Sequence, residues 1–173
     1  MKIFLIGFMG SGKSFLGKLW ADDNHLPFYD LDYLIEEEER MTIDKIFATY
    51  GEDYFREQEA AALRNTERFT NAIIACGGGT PCYFDNMHWM NKNAVTVFLN
   101  ETEDKIYRNV HNDKKVRPLI LGQNDKNLQS FITTKLKDRL PFYNQSQIML
   151  LSHQLNKDGF AIIENYLNDL VNN

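Results

Sequence analysis

Cysteine is scarce in this chain: Cys76 and Cys82 are the only two in 173 residues. Two thiols make no disulfide framework, and no second pair exists to build a zinc site, so reduced cysteines are expected. Long apolar runs are missing as well. No window approaches the roughly 20 apolar residues that a bilayer-spanning helix needs. No signal-peptide cleavage region follows the first residues, so a cytoplasmic protein without a membrane partner is expected. Positive charge is in deficit, at a net charge of −5, which argues against a nucleic-acid groove. His25, His88, His111 and His153 are scattered without ligand spacing. No internal repeat, low-complexity tract or linker rich in Gly, Pro or Ser divides the chain. A single domain over 1–173 follows, with 43% hydrophobic and 25% charged residues as in ordinary globular proteins.

What is present is more specific. Gly7-Phe8-Met9-Gly10-Ser11-Gly12-Lys13-Ser14 fits G-x-x-x-x-G-K-[ST]. The unbroken apolar run Ile3–Ile6 ahead of it suits a strand buried on both faces. Leu16, Leu19 and Trp20 behind it fall on one side of a helix. Strand, glycine turn and helix are the context in which backbone N–H groups curl around a phosphate. Lys13 would then reach the β- and γ-phosphates, and the Ser14 hydroxyl would ligate Mg²⁺. A nucleoside triphosphate site is expected.

Alternation continues along the whole length. Strands are expected near 2–6, 27–30, 72–76, 95–99 and 147–151. Helices are expected near 12–23, 31–39, 42–50, 52–67, 84–91, 101–111, 125–139 and 159–171. Gly51 reads as the residue that ends a helix. This order predicts an α/β protein with a parallel sheet covered on both faces, whose ligands bind beyond the carboxyl ends of the strands. Residues 112–126 form a polar stretch that is either a lid over the nucleotide or a plain surface loop.

The loop alone does not name a reaction. No guanine-reading N-K-x-D occurs, because Gly159 stands where Asn156-Lys157-Asp158 would need Asp. Asp30 and Asp32 have period-two spacing and can serve a metal and an attacking hydroxyl if strand geometry persists. They can equally be an acidic helix start. Gly77-Gly78-Gly79 after a buried strand permits positive φ and close backbone approach, and so favours a wall of N–H groups over a simple turn. Arg56, Arg117 and Arg139, if they converge, suit a small anionic substrate.

In order and spacing these segments resemble the shikimate kinase family over nearly the whole chain. The resemblance rests on Gly7–Ser14, Asp30-Leu31-Asp32, Ile46-Phe47-Ala48 with Gly51-Glu52, Phe55-Arg56, Gly77–Gly79, Arg117-Pro118-Leu119 and Arg139-Leu140-Pro141-Phe142-Tyr143. It implies a P-loop nucleoside-kinase-like three-layer sandwich with a five-stranded parallel sheet. The implied reaction transfers the γ-phosphoryl of ATP to the 3-hydroxyl of shikimate, with Mg²⁺, giving shikimate 3-phosphate and ADP in aromatic amino-acid biosynthesis. Carried over by position, Asp32 would orient or deprotonate the hydroxyl, Lys13 and Arg117 would serve the transferring phosphate, and Asp30 would support Mg²⁺ through water. Gly10, Ser11, Gly12, Lys13, Ser14, Phe15, Arg108 and Arg117 would hold ATP, with Arg108 as the adenine-stacking arginine. Asp32, Phe47, Phe55, Arg56, Gly77, Gly78, Gly79 and Arg139 would hold shikimate, within a substrate segment near 32–60 and beyond it. A monomer is expected. Phe15 departs from the Thr or Ser usual in the family. A kinase for another polyol acid, such as gluconate, and a non-catalytic nucleotide sensor are the competing readings.

Overall fold

A computed structural model describes residues 1–113 and 125–172. Five strands form one sheet: β1 (Lys2–Ile6), β2 (Phe28–Asp30), β3 (Ala72–Ala75), β4 (Val95–Asn100) and β5 (Ile148–Leu151). Their spatial order is β2-β3-β1-β4-β5 and every pairing is parallel. Among the described residues seven helices accompany them: α1 (Lys13–Asp23), α2 (Leu31–Glu39), α3 (Ile43–Asn65), α4 (Asn86–Asn93), α5 (Glu103–Asn112), α6 (Asp125–Tyr143) and α7 (Phe160–Asn172).

Strand pleating divides the core in two, since alternate side chains leave opposite faces of a sheet. Phe4 and Ile6 of β1 and Ile74 of β3 point to one face, where they meet buried residues of α2 to α6. Ile3, Leu5 and Ile73 point to the other, against Leu16 and Trp20 of α1 and Phe160 and Ile163 of α7. Both faces are apolar, so the strands are continuous apolar runs and the architecture has three layers. Trp20 is fully buried and its indole N–H donates to the carbonyl of Asn156 at 2.9 Å, which pins α1 to the start of the last helix.

Register positions the site. Ala75 pairs with Leu5 on one side and with Asp30 on the other. The carboxyl ends of β1, β2 and β3 therefore lie level. The chain after each of them opens onto the same edge: Gly7–Gly12, Asp30–Asp32 and Gly77–Gly79. This is also where connections from the central strands diverge to opposite sides, the usual crevice of such sheets.

Two local expectations change and one holds. The stretches near 42–50 and 52–67 are two helical segments, taken together as α3, and the first ends as expected at Gly51, whose dihedrals are non-helical (φ 84°, ψ 177°). Space does not dictate glycine there, since nothing lies within 4 Å of an added Cβ; the left-handed φ does. Strand geometry does not persist from Asp30 to Asp32, because α2 begins at Leu31. Helix α6 does not stop near 139 but continues through Pro141 to Tyr143, which sets Arg139 and Tyr143 one turn apart. Of the expected lid, Asn112 ends α5, Asp125 opens α6, and 114–124, with Arg117, lies outside the described residues.

Candidate active site

The glycine loop after β1 turns with positive φ at Gly10 (78°) and Gly12 (91°) and delivers Lys13 to the first turn of α1. Lys13 is buried, and its ammonium donates to the carbonyls of Gly7 (2.9 Å) and Phe8 (2.8 Å). Beside it a cavity of about 460 Å³ opens over the sheet edge. Gly10, Gly12, Lys13, Ser14 and Phe15 line it together with Asp30, Asp32, Cys76, Gly77 and Gly78. Asn109 and Asp113 of the α5 side complete it with Met9.

Asp30 and Asp32 take the helix-start reading of their spacing. Asp30 caps α2, its Oδ1 accepting the Asp32 backbone N–H at 3.1 Å. Asp32 lies in the first helical turn, where a carboxylate is favoured by the helix start. Both carboxylates nonetheless face the cavity. The Ser14 hydroxyl donates to Asp30 Oδ2 at 2.6 Å. A hydroxyl, one near carboxylate and a second carboxylate are hard oxygen donors of the kind Mg²⁺ takes. Among the described residues no group of three His, Cys, Asp or Glu side chains makes a metal cage. The donor set suits an ion that shares its coordination with substrate phosphates and water.

The glycine run is explained by what lies against it. Neither Gly77, Gly78 nor Gly79 has positive φ, contrary to one reason offered for them. A Cβ on Gly77 would stand 2.6 Å from Glu59 Oε1 and 3.2 Å from Asp32 Oδ1. On Gly78 it would stand 3.2 Å from Arg139 Nη1, and on Gly79 2.6 Å from Arg56 Nη1. Two acidic side chains and two of the three expected arginines thus approach one bare stretch of backbone. Close approach is the requirement.

The two arginines are held differently. Arg56 is buried, with Nη1 on Glu59 (2.8 Å) and both Nε and Nη2 on Glu52 Oε1 (3.2 and 2.8 Å). Burial alone would lower its pKa, but the Glu59 charge and the bonds to Glu52 and Glu59 raise it above the ordinary value. Glu52 is likewise pushed up by burial, and the bonds from Arg56 and the Tyr83 hydroxyl outweigh that and hold it low. Arg139 is also buried, at 6% exposure, with its guanidinium 5.2 Å from the Phe8 ring centre. Among the described residues its Nη1 has no hydrogen-bond partner. Buried, charged and unsatisfied, that donor is poised for an anion.

Residues that sequence reasoning missed support this wall. Glu59, fully buried, bridges Arg56 and the Thr80 hydroxyl (2.6 Å). Tyr143, whose phenol burial keeps well above its ordinary pKa, donates to the Gly78 carbonyl. Its sequence signal was present, four residues after Arg139 on one helix. Cys82 is pushed up to about 11 by burial, and burial holds Cys76 well above its usual range, so neither is a thiolate nucleophile near neutral pH.

Arg56 and Arg139 lie against Gly79 and Gly78 without lining the cavity themselves, and other expected residues also stand apart from it. Phe47 and Phe55 pair at 4.7 Å between ring centres and join the core beside Arg56, without lining the cavity. Gly79 and Ser11 flank it. Arg108 is exposed, its Nε donating to the Asp104 carbonyl at 3.3 Å. Its neighbour Asn109 is the one that faces the loop, donating to Gly10 O at 2.7 Å.

Comparison with known proteins agrees with this geometry. The family model described as shikimate kinase matches residues 9–170. A shikimate kinase of Bacteroides thetaiotaomicron is 42% identical over 155 residues, covering 90% of this chain and 89% of that protein. One from Flavobacterium johnsoniae is 38% identical over 148 residues, covering 84% and 86%. Among solved structures, shikimate kinase from Bacteroides thetaiotaomicron superposes with a TM-score of 0.87 at 38% identity, covering 100% of this chain and 99% of that one. Shikimate kinase from Acinetobacter baumannii in complex with shikimate gives 0.82 at 26% identity, covering 95% and 93%.

Proposed function

The chain belongs to the shikimate kinase family, and from that premise we propose how its own residues carry out transfer of the γ-phosphoryl of ATP to the 3-hydroxyl of shikimate. The observation that supports this reading most is the glycine run. It packs two acids and two arginines against bare backbone that lies beside the phosphate loop, with Gly77 and Gly78 lining the same cavity as that loop.

Phosphoryl transfer asks mainly for positioning and for offsetting charge in the transition state. Loop N–H groups from Gly10 to Ser14 cradle the triphosphate, and Lys13 gives part of its ammonium to the β- and γ-oxygens. Ser14 and Asp30 would hold Mg²⁺, which when bound would supply positive charge to offset that of the phosphate oxygens. Asp32 orients the attacking hydroxyl and draws off its proton. Arg139 and Arg56 hold the carboxylate of the acid, while Gly77 and Gly78 let the ring lie flush on the backbone. Arg117 is assigned to the transferring phosphate by the family motif alone. The reading includes a single catalytic domain acting as a monomer.

An ADP-release assay offering shikimate and gluconate separately tests the substrate. Release should depend on shikimate and stay near background with gluconate; equal or greater release with gluconate would reject the assignment. Gly79→Ala probes the wall. The methyl would press to 2.6–2.8 Å of the Arg56 guanidinium, which Glu52 and Glu59 keep from swinging aside. Overpacking of this kind costs about 1–3 kcal/mol. The shikimate KM should rise roughly tenfold or more on that account, with the ATP KM unchanged. An unaltered shikimate KM would show that Arg56 does not meet the acid.

A further inference from the structure

One side chain lining the cavity takes no part in the chemistry above. Phe15 follows Ser14 on the first turn of α1 and leaves 73% of its surface exposed at the cavity rim. It belongs to neither apolar cluster, so the ring contributes little to folding. It is also the only aromatic ring lining the cavity among the described residues. Asp32, Gly77 and Gly78 take the acid side, and Lys13 and Ser14 the reacting phosphates. Phe15 stands one residue further along the helix, at the rim of the same cavity. The arginine expected to cover a base does not line the cavity, because Arg108 is turned to the Asp104 carbonyl.

Resting on the nucleotide reading above, we propose that Phe15 is the base-side platform of this site: the nucleobase stacks on its exposed ring. An apolar ring in water gains by being covered, and a base offers a flat π-face whatever its edge carries. Such stacking contributes by area and not by hydrogen-bond readout. It therefore acts on the nucleoside half of the ligand and leaves the phosphates to the loop.

That separation supplies the test. Calorimetric titrations of the native protein, Phe15→Ala and Phe15→Trp would use ADP with Mg²⁺ and, separately, pyrophosphate with Mg²⁺. Phe15→Ala should raise the ADP dissociation constant about five- to hundredfold, the range of a lost base–aromatic stack, and leave pyrophosphate unchanged. Phe15→Trp should bind ADP at least as well as the native protein. Undiminished ADP binding by Phe15→Ala overturns the proposal, and so does an equal loss for both ligands, which would mean a loosened loop. A Trp variant as weak as the Ala variant also counts against it. If the native protein binds neither ligand, the nucleotide reading itself falls and takes this one with it.

Discussion

Asp32→Asn is expected to lower turnover by about 10²-fold or more, the scale on which preorganised electrostatic groups act. The substitution keeps the shape and most of the packing of the side chain. It also keeps what fixes the residue in place, because the Asp30 carboxylate accepts the backbone N–H of residue 32 and not its side chain. What is lost is one negative charge that faces the cavity beside Gly77. A neutral amide can still hydrogen-bond a hydroxyl, yet it cannot accept the proton or favour the developing alkoxide. Binding of shikimate and ATP should change far less than kcat. Steady-state kinetics of the purified variant, with both substrates saturating, decide it: turnover within tenfold of the native enzyme would remove Asp32 from its role.

Much of this site could be foreseen because its parts are local. Ile3–Ile6 and Ala72–Ala75 are apolar without interruption, as strands buried on both faces must be, and the loop after β1 carries its own phosphate-binding pattern. Where two local rules compete, the sequence stays silent. Period-two spacing at Asp30 and Asp32 is the same whether a strand persists or a helix begins, and only the dihedrals after Asp30 choose. The glycine run was legible as a demand for bare backbone. Its cause is long-range, however, since Glu59, Arg139 and Arg56 come from α3 and α6.

Glu59 was hidden for a related reason. In Glu57-Gln58-Glu59-Ala60 it looks like any solvated helix face, and only the packing of α3 against Thr80 buries it. Arg108 and Asn109 show how fine the remaining uncertainty was. Successive residues on a helix point about 100° apart, so a one-residue error in facing exchanges the group on the loop for one in solvent. Asn109 faces Gly10, and the guanidinium beside it does not.

Arg139→Ala should weaken shikimate binding about 10²-fold while leaving the ATP KM near its native value, as expected for a charge-assisted bond to a desolvated partner. The reason lies in the contrast between the two arginines. Arg56 already has carboxylates on Nε, Nη1 and Nη2, so an incoming acid must share or displace Glu52. Arg139 would meet the acid with a donor that has no partner among the described residues. Leaving a buried donor unsatisfied costs about 1–3 kcal/mol, and a substrate carboxylate would recover that on binding. The same logic predicts a difference in stability. Removing Arg56 would strand Glu59 as an unpaired buried carboxylate and should destabilise the fold by about 3–5 kcal/mol. Removing Arg139 strands no such group, so the melting temperature of Arg139→Ala without ligand should stay close to native. Arg139→Lys separates charge from geometry: it keeps the cation but loses the planar fork, and its shikimate affinity should fall between the other two. Calorimetric titration with shikimate, paired with thermal melts, reads both effects. Native-like shikimate affinity in Arg139→Ala would transfer the carboxylate to Arg56 and require Glu52 to yield its place.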